Sequence, residues 1–214
     1  MILCLESSAN PSVIGLVHHD QLVMENTFSD RAKFADEVTT MLRDMSITPS
    51  RLKAIAIGIG PGSFTGLRVS LAFAKGLARG LEIPIWPVSS LEVVALNLLG
   101  RWDAVAVISP ARRGHAHFAR FTGQALETTQ DQSQIVAYDD LLSHLTADMV
   151  LVGPGVALLS DSQRRQLNGY LPADNDMHRP HTLRLARLAR EEWLEKTPPE
   201  IGTLVPTYGL DFPV

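Results

Sequence analysis

The run Ala54-Ile55-Ala56-Ile57-Gly58-Ile59-Gly60-Pro61-Gly62-Ser63-Phe64-Thr65-Gly66-Leu67-Arg68 constrains the fold more than any other stretch of this 214-residue chain. Its apolar residues are nearly continuous over 52–59, which predicts a strand covered on both faces. The glycines at 58, 60, 62 and 66 permit positive φ or close backbone approach, and Pro61 fixes one φ between them, so a sharp turn follows the strand. A helix over 64–79 comes next. Leu67, Leu71, Ala74 and Ala78 form one apolar row along it and Val69, Phe73 and Leu77 a second, which leaves Arg68, Lys75 and Arg79 as a narrow polar stripe. Such a helix is buried from two sides, and Gly66, Ala72, Gly76 and Gly80 would let a neighbouring helix come close.

A glycine-rich turn before a helix invites a phosphate reading, and the spacing tests it. A Walker A loop ends in Gly-Lys-Ser/Thr, whereas Leu67 follows Gly66 here. A dinucleotide fingerprint beginning at Gly58 or Gly60 would need glycine where Ser63 or Thr65 stands. The nucleophile elbow fails as well, because Ser63 directly follows Gly62. A generic anion site at the helix start remains open.

Around this unit the chain reads as two rounds of one plan. Apolar runs at 2–5 and 13–17 flank a turn-forming segment, and a third strand fits 22–28, so the chain opens with a meander. From 31 to 45, Phe34, Val38, Met41 and Met45 recur at helical spacing, with Ala35 and Leu42 widening the stripe and Ser29 or Asp30 as the cap. That stripe packs either on its own sheet or against another chain. A strand at 83–88 and a helix capped by Ser89-Ser90 and ending near 99 complete the first round. Strands at 104–108 and 115–121 around a turn then echo 2–17, so two lobes of like topology are expected, 1–100 and 101–214, with the final helix packing back on the first. Later elements are a polar stretch at 127–134, helices at 139–145, 157–167 and 181–196, a loop at 172–180, and strands at 149–152 and 203–205. The helix at 181–196 carries Arg184, Arg187, Arg190 and Glu191 on its wet side.

Composition narrows the function classes. The chain is 45% hydrophobic and 20% charged, with a formal net charge of −4, so it has no general basic field for nucleic acid, although local patches remain open. The single cysteine, Cys4, sits in an apolar run, which predicts an inert core thiol and a reducing compartment. No secretory segment and no membrane-spanning run is read, and the expected address is the cytoplasm. The pairs His115/His117 and His178/His181 lack the cysteine or carboxylate company of zinc sites, so no metal site is expected. Glu6, at the end of the first strand, is the best placed carboxylate for a ligand, against its reading as a solvated turn residue.

The segment 55–77, with Gly-Pro-Gly-Ser-Phe-Thr-Gly-Leu-Arg at its centre and Ala-Lys-Gly-Leu-Ala after it, resembles the signature of the TsaB (YeaZ) family. The segments 2–8, 84–90, Ala111-Arg112-Arg113-Gly114, Leu151-Val152-Gly153-Pro154-Gly155 and Pro206-Thr207-Tyr208 are also similar to family segments. The resemblance implies an actin-like, Hsp70-like ATPase (ASKHA) fold, α/β in class, with two duplicated lobes that each hold a mixed sheet flanked by helices. It implies a non-catalytic scaffold without a cofactor, partnered by TsaD in making the threonylcarbamoyl modification of the adenosine beside the tRNA anticodon. A TsaE-like ATPase would join through that complex, tRNA would be met only indirectly, and the chain alone would form a homodimer. Pairing would run through the helices 31–45 and 64–80, with Phe34, Val38, Met41, Phe64, Leu67, Leu71 and Phe73 as contacts.

The alternative is an ATP-binding or ATP-hydrolysing enzyme of the same fold, using Glu6, Ser7 and Ser8 in the loop that runs to Ser12. A peptidase has neither a zinc motif nor a triad to support it. The chain departs from the family pattern at Glu6, Ser7, Phe34, Pro110, His115 and Pro154, and Gly209-Leu210 follow Tyr208 where the family has Leu-Arg. Pro110 and Pro154 stand where aspartates are usual, which removes metal or nucleotide contacts.

Overall fold

The computed structural model describes residues 1–124, 127–130 and 133–208. The first lobe opens with the expected meander of β1 (Ile2–Glu6), β2 (Ser12–His18) and β3 (Gln21–Phe28). After a 3-10 turn come α1 (Phe34–Asp44), β4 (Ala54–Gly58), α2 (Phe64–Leu81), β5 (Ile85–Val88) and α3 (Ser90–Ala95). The second lobe holds β6 (Ala104–Pro110), β7 (His115–Gln124), β8 (Glu127–Gln130), β9 (Gln134–Ala137), β10 (Met149–Val152) and α4 (Asp161–Gln166), and α5 (Thr182–Glu195) closes the order.

The first sheet runs β3-β2-β1-β4-β5, antiparallel through β1 and parallel from β1 to β5. Among the described residues the second runs β10-β6-β7-β8, with β9 also on β7; β6 is antiparallel to β7 and parallel to β10. Thus β6, β7 and β10 repeat the roles of β1, β2 and β4. This duplicated mixed-sheet plan is the actin-like, Hsp70-like fold that the resemblance implies.

Period-two alternation sorts the strand residues into separate cores. Leu3, Leu5, Ile55 and Ile57 face α1 and α2, where they meet Phe34, Val38, Met41 and Leu71. Their neighbours Cys4, Ala54 and Ala56 face the other way, onto Trp86 and the helices α3 and α5. The same cluster takes in Val105, Val107, Phe121, Val150 and Val152 of the second sheet, so α3 and α5 form a middle layer shared by both sheets. A third cluster around Ile108, Phe118 and Leu151 lies on the far side of the second sheet. Cys4 is buried and free, and burial pushes its thiol well above the usual range, which fits an inert core thiol.

Side chains from distant elements seat the helices. Ser63 caps α2, its Oγ accepting from the Gly66 N–H at 3.2 Å, and Ser89 caps α3 in the same way. Asp30 closes the 3-10 turn ahead of α1, with Oδ1 accepting from the Ala32 N–H at 3.1 Å. No local side chain caps α5; instead Glu25 of β3 accepts from the Thr182 N–H at 2.7 Å and pairs with Arg179 at 2.7 Å. Burial alone would raise the Glu25 carboxyl, but these donors hold it below its ordinary value.

Several elements differ from the sequence expectation: α3 stops at Ala95 and not near 99, β8 lies in the stretch read as polar, and the loop at 172–180 holds a 3-10 turn, Asn175–His178. The helix expected at 139–145 is a 3-10 run, Tyr138–His144, because its buried residues Tyr138 and Leu141 stand three apart, the spacing that a 3-10 turn stacks. The helix expected at 157–167 divides into a 3-10 turn, Pro154–Leu158, and α4, since Ser160 and Gln163 form a capping box that restarts the helix. The strand expected at 203–205 is a turn and coil, in which the Thr203 N–H donates to Glu200 O and Leu204 alone of the three is buried. Gly209 and Leu210 lie outside the described residues, as does part of the polar stretch at 127–134.

Phe34 is 1% exposed and meets Phe28 and Phe73 edge-on, each at 5.7 Å between centroids. Phe34→Ala should therefore cost about 3 to 5 kcal/mol in urea denaturation. A serine at the exposed neighbour Ala35 should cost well under about 1 kcal/mol. A loss below about 1 kcal/mol for Phe34→Ala would remove it from the core.

Candidate functional site

The glycine-rich turn and the loop 6–12 pack on each other at the carboxyl ends of β1 and β4. Gly58 must be glycine, since a Cβ there would stand 1.7 Å from Glu6 Oε2. Gly60 has φ of 109°, and a Cβ on it would lie 2.2 Å from the Thr207 carbonyl. The Ser63 N–H donates to Ser8 O at 2.6 Å, which ties the turn to the loop.

Glu6, Ser7 and Ser8 are all buried. Glu6 Oε1 accepts from the Ser8 N–H at 2.7 Å, and the Ser7 and Ser12 hydroxyls meet at 2.7 Å. Glu6 Oε2 completes no hydrogen bond of normal geometry; the nearby Ser90 Oγ accepts from the Gly60 N–H at 3.0 Å. Burial pushes the Glu6 carboxyl up, and the surrounding hydroxyls and N–H groups only partly offset it. Glu6 is thus a buried carboxyl and not a solvated turn residue.

A cavity of about 560 Å³ lies between the two lobes in front of this junction. Ser8, Ser63, Phe64, Arg112 and His117 line it, and so do Pro110 and Pro154 at the ends of β6 and β10. Glu6 and Ser7 are not in its wall, and none of the described residues that line it is a carboxylate. His117 is buried, and burial lowers its pKa and favours the neutral ring. Among the described residues the cleft therefore has one guanidinium and no anionic side chain with which to hold a divalent cation. Among the described residues no group of three or more His, Cys, Asp and Glu side chains comes together anywhere. His115 is held by Arg112 and the Arg113 carbonyl, and His181 by Asp176.

The expected interface residues separate into two sets. Phe34, Val38, Met41, Leu67 and Leu71 are at most 5% exposed and lie inside the chain's own core. The stripe read from sequence is the inner face of each helix, covered by the first sheet, by the other helix and by Leu204 of the tail. Phe64 is 52% exposed and Phe73 half-buried. The outer face of α2 consists of Thr65, Arg68, Ala72, Gly76, Arg79 and Gly80, and nothing lies within 4 Å of where a Cβ on Gly76 or Gly80 would stand. The chain's own tail covers a flank of the helix: Lys75 Nζ donates to Gly202 O at 3.2 Å, Leu204 enters the core, and Tyr208 meets the Phe64 ring at 4.9 Å.

A family model described as TsaD, tRNA N6-adenosine threonylcarbamoyltransferase, matches residues 31–164. The chain belongs to this family, in its TsaB (YeaZ) branch. It is 29% identical to the tRNA threonylcarbamoyladenosine biosynthesis protein TsaB of Bacillus subtilis, over 97% of this chain and 93% of that one. The protein of the same description from Haemophilus influenzae is 25% identical over 91% and 87%. Among solved structures, YeaZ from Pseudomonas aeruginosa superposes with a TM-score of 0.77, at 23% identity over 96% of this chain and 99% of that one, and so shares the fold. Within this TsaB-branch chain the family signature is the packed junction of turn and loop, and no helix is long and apolar enough to cross a membrane among the described residues.

The raised Glu6 carboxyl gives a pH signature. A group whose pKa is higher folded than unfolded stabilises the fold below its unfolded value and loses that contribution as pH rises through the folded value. Glu6→Gln should therefore gain stability relative to the parent as pH goes from about 4 to 8. Paired urea melts at the two ends would show it, and a constant difference would mean that Glu6 is not buried as a carboxyl.

Proposed function

We propose that this chain is a non-catalytic subunit in threonylcarbamoyladenosine biosynthesis on tRNA, acting in the cytoplasm by pairing with a TsaD-like protein. The names of its relatives supply the pathway. The observation that carries the scaffold reading is the outer face of α2, where Ala72, Gly76 and Gly80 leave open space beside the half-buried Val69, Phe73 and Leu77. Small residues on an exposed helix allow a partner helix to approach closely, and the flanking apolar side chains supply contact area. Arg68, held over the Phe64 ring at 4.9 Å, and Arg79 give the face a basic edge. A second copy of the chain would pair through the same face when TsaD is missing, and a TsaE-like ATPase would join the assembled complex.

The cleft supports the non-catalytic part. Phosphoryl transfer depends on carboxylate-held magnesium and on groups aimed at the phosphates. Here, among the described residues, the inter-lobe cavity has no carboxylate in its wall, prolines stand at the ends of β6 and β10, and Glu6 is buried.

Gly76→Arg tests the pairing face without disturbing the fold. The position is open, and replacing a helical glycine should stabilise the helix by up to about 1 kcal/mol. The variant should melt at or slightly above the parent temperature. It should lose association with the organism's TsaD-like protein by roughly tenfold or more in sizing and titration, as expected for a blocked central contact. Undiminished co-elution would place the interface elsewhere.

A further inference from the structure

A second cavity, of about 630 Å³, opens at the other end of the first sheet from the glycine-rich turn. Its wall is drawn from four separated segments: the start of β1, the turn between β2 and β3, residues 50–53 before β4, and the end of α5. The volume is within the range of small-ligand sites, roughly 300 to 1,000 Å³.

Its chemistry is divided. On one side Ile2, Val17, Trp193 and Leu194 are apolar; Trp193 is 40% exposed and Leu194 is 77% exposed. Trp193 rests one ring face towards the buried Trp86, with centroids 6.2 Å apart and planes 20° apart, so the indole is held in a fixed plane while much of it stays open. On the other side Arg51 and Lys53 are exposed, with His18 and His19 beside them. Among the described residues the one carboxylate in the wall, Asp20, is already engaged by Arg190. Glu191 and Glu192 of the same helix are not in the wall. In a chain of net charge −4, this is an uncompensated cationic edge beside a fixed aromatic plane.

We propose that this cavity binds a nucleotide, with the base laid on Trp193 against Leu194 and Val17, and the phosphate on Arg51 and Lys53. Anionic charge matches the cationic edge. The planar base matches the immobilised indole, the pairing of stacking platform and basic groove used for single nucleotides and single strands. An aliphatic acid would satisfy the cations and leave the ring uncovered. The source is either a free nucleotide or one nucleotide of an RNA strand. This site is on the α5 side of the first sheet, whereas the proposed pairing face is on the α2 side, so the failure of one reading leaves the other intact.

The test uses the full chain at low salt, titrated with AMP, with a short single-stranded oligoadenylate, with inorganic phosphate and with a glutamate-rich peptide containing tryptophan, read by calorimetry and by quenching of tryptophan emission. Binding of AMP about as tight as that of the oligonucleotide assigns a free nucleotide, and binding of the oligonucleotide alone assigns an RNA strand. In both cases affinity should fall with added salt, and R51E/K53E should weaken it by roughly tenfold or more. Because Arg51 and Lys53 are exposed, that double variant should keep its melting temperature, which guards against a folding artefact; Trp193→Ala should reduce both binding and quenching. The proposal is overturned if neither nucleotide probe binds at millimolar concentration, if binding is unchanged in R51E/K53E, if phosphate alone binds as well as AMP, or if the peptide binds more tightly than both.

Discussion

The contact between the glycine-rich turn and the loop after the first strand sets the geometry of this molecule. A carboxyl group sits where Gly58 leaves room for it, the Ser63 N–H reaches Ser8 O at 2.6 Å, and the tail crosses over Gly60. These contacts fix the direction in which α2 leaves the sheet. They also fix which of its faces is turned inward, and hence what the surface offers. A phosphate-binding turn keeps its N–H groups free for a ligand. This one directs the Ser63 and Gly60 N–H groups to acceptors of the same chain.

Much of the fold was legible in the sequence because it follows from periodicity. The alternation of Leu3 and Leu5 with Cys4, and of Ile55 and Ile57 with Ala54 and Ala56, announces strands with two buried faces, and the repeat of strand, turn and strand after residue 103 announces the duplication. The cap at Ser89 was equally readable. Less so were elements decided by a few residues. The short runs at 138–144 and 154–158 have apolar residues compatible with either helix type, and the tail has β-branched residues but forms no strand among the described residues.

The site was harder to read, for a physical reason. Periodicity identifies an apolar face but not what covers it. Phe34, Val38, Met41, Leu67 and Leu71 carry the strongest stripe of the first lobe, and that strength is the mark of a face already buried in the monomer. The face left open has the weaker signal of Ala72, Gly76 and Gly80. Glu6 misleads in the opposite sense: its place at a strand end suggests a ligand group, while its burial behind Ser8 and Ser90 depends on a glycine more than fifty residues later. The cavity at Arg51 and Trp193 joins positions separated by most of the chain, and no local pattern brings them together.

The middle layer has a mechanical consequence. Because α3 and α5 share one continuous core with both sheets, opening the cleft by rotating the lobes would expose Val105, Val107 and Phe121 on one side or Ala56 and Trp86 on the other. At about 25 cal/mol for each Å² of apolar surface uncovered, even a modest rotation carries a steep penalty. Where related architectures permit a hinge, this chain has a keystone. Any rotation of one sheet against the other must first break this shared layer, so the width of the cleft is tied to the packing of α3 and α5.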